Sequence, residues 1–206
     1  MMLENKKKRF LGEPQLTGKI ALVTGSTSGI GLGIAQELAS HGAQVILNSH
    51  ENIDEVRTSI EAISELTDQA VHFIQADLSQ ISAIEKMTSE IKAEYGSIDV
   101  LVNNAGVQHV SPVVDFPQEQ WEYIQSLNLS ASFHLCRMVL GNMTDKGWGR
   151  IINIASAHGL VASPYKAAYV AAKHGIVGLT KVIALETAEA GVTCNAICPG
   201  YVLTPL

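Results

Sequence analysis

From Gly18 onward, short apolar runs alternate with longer stretches in which apolar residues return at helical spacing. Short runs bounded by turn residues read as strands, and the longer periodic stretches as helices. Strands are expected at Ile20–Thr24, Gln44–Asn48, Val71–Gln75, Val100–Asn103, Arg150–Ala155 and Val192–Ile197. Helices are expected over Ile30–His41, Ile53–Leu66, Ile81–Tyr95, a long stretch from about Gln118 to Met143, and Tyr165–Ala190. The strand runs do not alternate polar with apolar, as befits strands covered on both faces. Strands and helices in strict alternation point to an α/β fold, a doubly wound parallel sheet with right-handed crossovers and strand order 3-2-1-4-5-6.

Composition narrows the class. The chain has 206 residues, 47% of them apolar and 17% charged, enough for one well-filled core and far from the composition of a disordered chain. No window reaches the roughly 18 consecutive apolar residues of a membrane span, so no membrane is expected. The net charge of −6 argues against nucleic acid, because phosphate binding needs the opposite field. The basic run Lys6-Lys7-Lys8-Arg9 has no apolar stretch behind it, and Glu4 and Glu13 disfavour a transit peptide. Residues 1–17 are therefore expected to be a mobile, solvated tail ahead of a single domain over 18–206. Cys136, Cys194 and Cys198 form no CxxC pair, which fits a reducing, cytoplasmic setting and no metal site.

The first strand runs straight into Thr24-Gly25-Ser26-Thr27-Ser28-Gly29-Ile30-Gly31 and then a helix. Gly25 suits the tight turn, Gly29 clears the approach of a pyrophosphate, and Gly31 lets helix and strand pack closely. Free N–H groups at the helix start favour an anion, although a glycine turn is also found as a plain strand-to-helix connection. Strand two ends in Leu47-Asn48-Ser49-His50, with neither an acid for the ribose of NAD nor a cation for the phosphate of NADP. The missing cation favours NAD by default. Asp77 closes strand three and suits the amino group of adenine, or equally a cap for the next helix.

Ser156, Tyr169 and Lys173 hold the densest chemistry. Tyr169 and Lys173 stand one turn apart on the same helix face. A free tyrosine titrates at about 10, and a neighbouring ammonium favours the phenolate that can act as a base. Ser156, at the end of a strand, sits at the carboxyl edge where open parallel sheets bind ligands, and its hydroxyl suits a substrate oxygen.

TGSTSGIG at 24–31, NNAG at 103–106, Asn128, Ser156, Tyr-Val-Ala-Ala-Lys at 169–173 and Pro199-Gly200 together resemble the short-chain dehydrogenase/reductase family, from about Gly18 to the last residue. The resemblance implies a Rossmann-like fold with Tyr169 as acid/base and Ser156 positioning the reacting oxygen. Lys173 would support Tyr169 and bind the nicotinamide ribose, and Asn128 would hold a water in a proton relay. It also implies cofactor contacts at Gly25, Thr27, Ser28, Gly29, Ile30 and Gly31, at Asp77, Leu78 and Asn104, and at Val202 and Thr204, the last reaching the carboxamide. Within the family, Asn103-Asn104-Ala105-Gly106-Val107-Gln108-His109, the run from Ile151 to Ser163 and Ala184-Leu185-Glu186-Thr187-Ala188 resemble bacterial D-3-hydroxybutyrate dehydrogenases. That implies a carboxylate clamp of Gln108, His158 and Lys166 for a small 3-hydroxy acid, because a desolvated carboxylate needs a cation and donors. The bland alternative makes His158 a loop residue and Lys166 a first-turn helix residue.

Such relatives continue past the equivalent of Leu206 into lid helices, a further helix and a seventh strand, and they assemble as homotetramers. The expectation is thus a sheet without that last strand, an unpaired edge on strand six, and doubt over activity and assembly. The leading expectation is NAD-dependent oxidation of (R)-3-hydroxybutyrate to acetoacetate. The competing ones are another short-chain reductase, such as a 3-oxoacyl carrier-protein reductase, and a catalytically silent NAD-binding module.

Overall fold

The structure, a computed structural model, describes residues 15–204. Strands β1 (Ile20–Thr24), β2 (Gln44–Ser49), β3 (His72–Gln75), β4 (Val100–Asn103), β5 (Gly149–Ile154) and β6 (Val192–Ile197) form one parallel sheet in the expected order, β3-β2-β1-β4-β5-β6. Helices α1 (Gly29–Ser40), α2 (Ile53–Ser64), α3 (Ile81–Glu94), α4 (Gln118–Gln125), α5 (Ala131–Asp145) and α6 (Ala167–Glu186) cover it.

The register explains why the central strands are largely apolar, whereas the edge strand β6 alternates, Val192 and Cys194 buried and Thr193 and Asn195 exposed, against the expectation of strands covered on both faces. Leu22 lies between Ile46 and Leu101, Leu101 pairs with Ile151, and Ile151 with Cys194, a continuous apolar row on one face. That row packs with Ile84, Met87 and Ile91 of α3 and Leu135, Cys136 and Val139 of α5. On the other face Ala21, Val23, Val45, Leu47, Val100 and Val102 pack against α1, through Ala35 and Ala39, and α2, through Ile63. Fully burying side chains of this size contributes about 1.5–3 kcal/mol each, so the two faces hold the strand ends in fixed relation.

Three expectations are corrected. The long helix from Gln118 is divided: α4 and α5 meet in a π-helical turn, Ser126–Ser130, which carries Asn128. The α6 helix begins later than Tyr165, because Tyr165 is held in the left-handed region at φ 65° with its carbonyl accepting from the Ser111 N–H at 2.8 Å. It ends at Glu186, where the Thr187 hydroxyl lies 2.8 Å from the Ile183 carbonyl and 3.3 Å from that of Val192. Leu16 packs against the α1 side of the core and donates its N–H to the His41 carbonyl at 3.0 Å, so residues 15–17 belong to the domain rather than to a tail. The remainder of the expected tail lies outside the described residues.

By length and composition α6 could cross a membrane, but its buried stripe of Ala168, Ala172, Lys173, Ile176, Thr180 and Ile183 serves the core and the cleft described next. Among the described residues β6 is an edge strand.

Candidate active site

A cleft of about 640 Å³ opens at the carboxyl edge of the sheet, within the range of small-ligand sites. Its floor is the glycine turn. Gly25 and Gly29 have φ of 57° and 53°, backbone that side chains rarely adopt. Ser28 is the N-cap of α1 and makes no side-chain capping bond, so the first N–H groups of the helix face the cleft uncapped. Gly31 does not line the cleft; it lies beneath it, where a Cβ would collide with the Gly25 carbonyl oxygen and stand 2.5 Å from Asn104 Nδ2. Asn104 does line the cleft, but its amide donates to the carbonyls of Thr24 and Gly25, both at 2.9 Å, and its own N–H donates to Thr24 Oγ1. Its work is to fasten the turn to the end of β4.

Toward β2 the cleft contains a group the sequence reading passed over. Glu51 lines the wall, and its Oε2 accepts from the hydroxyls of Thr27 at 2.9 Å and Ser49 at 3.0 Å. Glu51 lies one residue beyond the Leu47-Asn48-Ser49-His50 end of strand two, and the hydroxyl residues at 27 and 49 are its signal in the sequence. Asn48 is spent on structure, donating to the carbonyls of Ile74 and Ala76. Asp77 and Leu78 line the cleft beyond β3. Asp77 accepts from the Ser79 N–H at 2.9 Å, while the N-cap of α3 is Gln80, so Asp77 makes a turn rather than capping the helix.

Ser156, Tyr169 and Lys173 line the same cleft. Ser156 Oγ accepts from the His158 N–H at 3.1 Å, which leaves its own proton available to a ligand oxygen. Lys173 is buried and donates from Nζ to the Ile154 carbonyl at 2.7 Å; the Nζ stands 5.6 Å from the centre of the Tyr169 ring. Burial lowers its pKa to about 8, with Cys198 pulling it back upward. Asn128 is buried outside the lining, with Oδ1 accepting from the Val107 N–H at 2.9 Å and Nδ2 donating to the Val107 carbonyl at 2.8 Å. Both ends of its amide therefore hold the loop leading to Gln108.

The expected carboxylate clamp is assembled in part. Gln108 lines the cleft; His158 and Lys166 do not. The His158 ring packs edge-on to Tyr169 with centroids 6.2 Å apart, and Lys166 is the N-cap residue of α6. Thr204 lines the cleft but lies against the glycine turn, where a Cβ on Gly29 would be 3.6 Å from its own Cβ; Val202 is half exposed and outside the lining.

This donor set fits a nicotinamide dinucleotide: an uncapped helix start for the diphosphate, carboxylates at 51 and 77 for hydroxyl and amino donors, and the Ser-Tyr-Lys group at the other end. Comparison with known proteins agrees. A D-beta-hydroxybutyrate dehydrogenase of Rhizobium meliloti (strain 1021) is 57% identical over 188 residues, covering 91% of this chain and 73% of that protein. One from Cupriavidus necator is 56% identical over 191 residues, covering 93% and 73%. A crystal structure from Sinorhizobium meliloti 1021, named as a candidate short-chain alcohol dehydrogenase, superposes with a TM-score of 0.88 at 32% identity, covering 94% of this chain and 76% of that one. The family model for short chain dehydrogenases matches residues 19–206, and the chain belongs to that family of nicotinamide-dependent oxidoreductases.

Proposed function

We propose that the chain is built for NAD-dependent oxidation of (R)-3-hydroxybutyrate to acetoacetate, reversibly, with Tyr169 as acid/base. The observation that carries this is the presence of Ser156, Tyr169 and Lys173 in one cleft with the glycine turn. A nicotinamide held in this cleft would supply the acceptor for the hydride of the alcohol carbon. Ser156 offers its proton to the substrate oxygen, and Tyr169 takes the hydroxyl proton from that oxygen. Lys173, fixed on the Ile154 carbonyl, places a positive charge beside the tyrosine as the phenolate forms and recedes. NAD rather than NADP is supported by Glu51, which lines the cleft and whose carboxylate would repel a phosphate and would accept from a ribose hydroxyl. A 3-hydroxy acid is supported by the names of the two relatives and by Gln108 in the wall.

The test is the rate of NADH formation from (R)-3-hydroxybutyrate and from 2-butanol, with NAD and with NADP. The acid with NAD should be the best combination. Gln108→Ala should depress kcat/KM for the acid by about tenfold, the scale of one hydrogen bond to a charged group, and leave 2-butanol nearly untouched. Preference for 2-butanol would defeat the hydroxy-acid reading, and preference for NADP the cofactor reading.

A further inference from the structure

Asn153 is fully buried on β5, and its amide is bonded on both sides. Oδ1 accepts from Asn103 Nδ2 of β4 at 2.8 Å, and Nδ2 donates to the Thr180 hydroxyl of α6 at 2.9 Å. Thr180, buried as well, donates its own proton to the Ile176 carbonyl at 2.8 Å. An amide in an apolar core costs stability unless it is bonded, and neither Asn153 nor Thr180 lines the cleft.

The place of the amide in the fold gives it a role. Asn153 is followed by Ile154, whose carbonyl takes the Lys173 ammonium, and Ser156 stands two residues further on. Lys173 and Thr180 are seven residues apart, two turns along the same buried face of α6. The helix is thus tied to β5 at two points, neighbours on the strand and two turns apart on the helix. One tie lets a helix pivot about it, whereas two fix both its slide and its rotation. Apolar packing has no preferred direction and the lysine stem is flexible, so the bond from Asn153 to Thr180 supplies the direction the other contacts lack.

We propose that Thr180 is a positioning residue for Tyr169 and Lys173, holding α6 through Asn153 on the strand that leads to Ser156. This rests on the reading of Tyr169 as the acid/base. A small displacement of the α6 groups from Ser156 slows the proton transfer without changing what the cleft can bind.

Steady-state kinetics across pH, on whichever of (R)-3-hydroxybutyrate and 2-butanol is the better substrate, test it. Thr180→Val keeps the shape and deletes the hydroxyl. Its kcat should fall roughly three- to tenfold with KM within about twofold. The pH at which the rate is half-maximal should rise by about half a unit, because a displaced ammonium favours the phenolate less. Thr180→Ser should restore both. Thr187→Val, which removes the hydroxyl bonded to the Ile183 and Val192 carbonyls at the far end of α6, should lower the melting temperature and leave kcat and the pH midpoint in place. An unmoved midpoint in Thr180→Val, or the same loss of kcat in Thr187→Val, would overturn the assignment. Preference for 2-butanol would defeat only the hydroxy-acid reading. Activity on neither alcohol would defeat the functional reading, and crystal structures then decide the positioning: Lys173 Nζ beyond about 3.5 Å from the Ile154 carbonyl in Thr180→Val supports it, and a retained bond overturns it.

Discussion

The Lys173 ammonium donates to the Ile154 carbonyl at 2.7 Å, which ties the α6 cation to the strand end that leads to Ser156. With Nζ 5.6 Å from the Tyr169 ring centre, charge, phenol and serine are held by one strand and one helix turn rather than by a flexible loop. Pre-set charge of this kind costs no reorganisation when the reaction occurs.

Burying that cation has a measurable cost. Its pKa is lowered from 10.5 to about 8, so the folded chain binds this proton less tightly than the unfolded chain does. The penalty is complete below pH 8 and is relieved as pH rises from about 8 toward 10.5. Chemical denaturation of the unsubstituted protein and of Lys173→Met should show the former gaining about 3 kcal/mol on the latter between pH 7 and 10.5. A difference constant with pH would mean that the lysine keeps its ordinary affinity for the proton.

Glu51 should govern the choice of cofactor. Its carboxylate is already oriented by Thr27 and Ser49, so a ribose hydroxyl meets a fixed acceptor. Glu51→Ala should weaken NAD by about tenfold and strengthen NADP, because a charged hydrogen bond and a repulsion vanish together. Fluorescence titration reads both constants; if neither moves, the carboxylate does not face the ribose.

Asn128 should act on the substrate loop through Val107. Asn128→Ala leaves the Val107 N–H and carbonyl without their partners, a loss of about 1 kcal/mol per bond because water reaches the partly exposed Val107, and frees the backbone next to Gln108. The melting temperature should fall, and KM for 3-hydroxybutyrate should rise more than kcat falls. A fall in kcat at constant KM would instead favour a proton-relay role.

The strand runs were legible because β1 and β4 are buried almost throughout and β6 buries Val192 and Cys194; Ile20–Thr24, Val100–Asn103 and Val192–Ile197 begin and end where the spacing predicts. The glycine turn and the Ser-Tyr-Lys spacing were legible because backbone sterics and helix periodicity constrain the residues themselves. The π-helical turn at Asn128 was not, since one altered helical turn leaves the surrounding apolar period almost unchanged. Nor was the left-handed Tyr165, which is fixed by a tertiary bond to Ser111 rather than by a glycine. The clamp residues are placed by features that spacing does not encode: Gln108 lines the cleft, the His158 ring packs edge-on to Tyr169, and Lys166 is the N-cap residue of α6.

The most direct measurement is single-turnover oxidation of (R)-3-hydroxybutyrate by Tyr169→Phe beside the unsubstituted protein, with NAD affinity determined on the same samples. Phenylalanine keeps the ring that packs by His158 and deletes only the oxygen that takes the proton. The expected result is NAD binding within about twofold of the parent and a rate lower by at least about a hundredfold, the scale of a lost general acid/base. A rate within about tenfold of the parent's would show that another group moves the proton and would contradict the role of Tyr169.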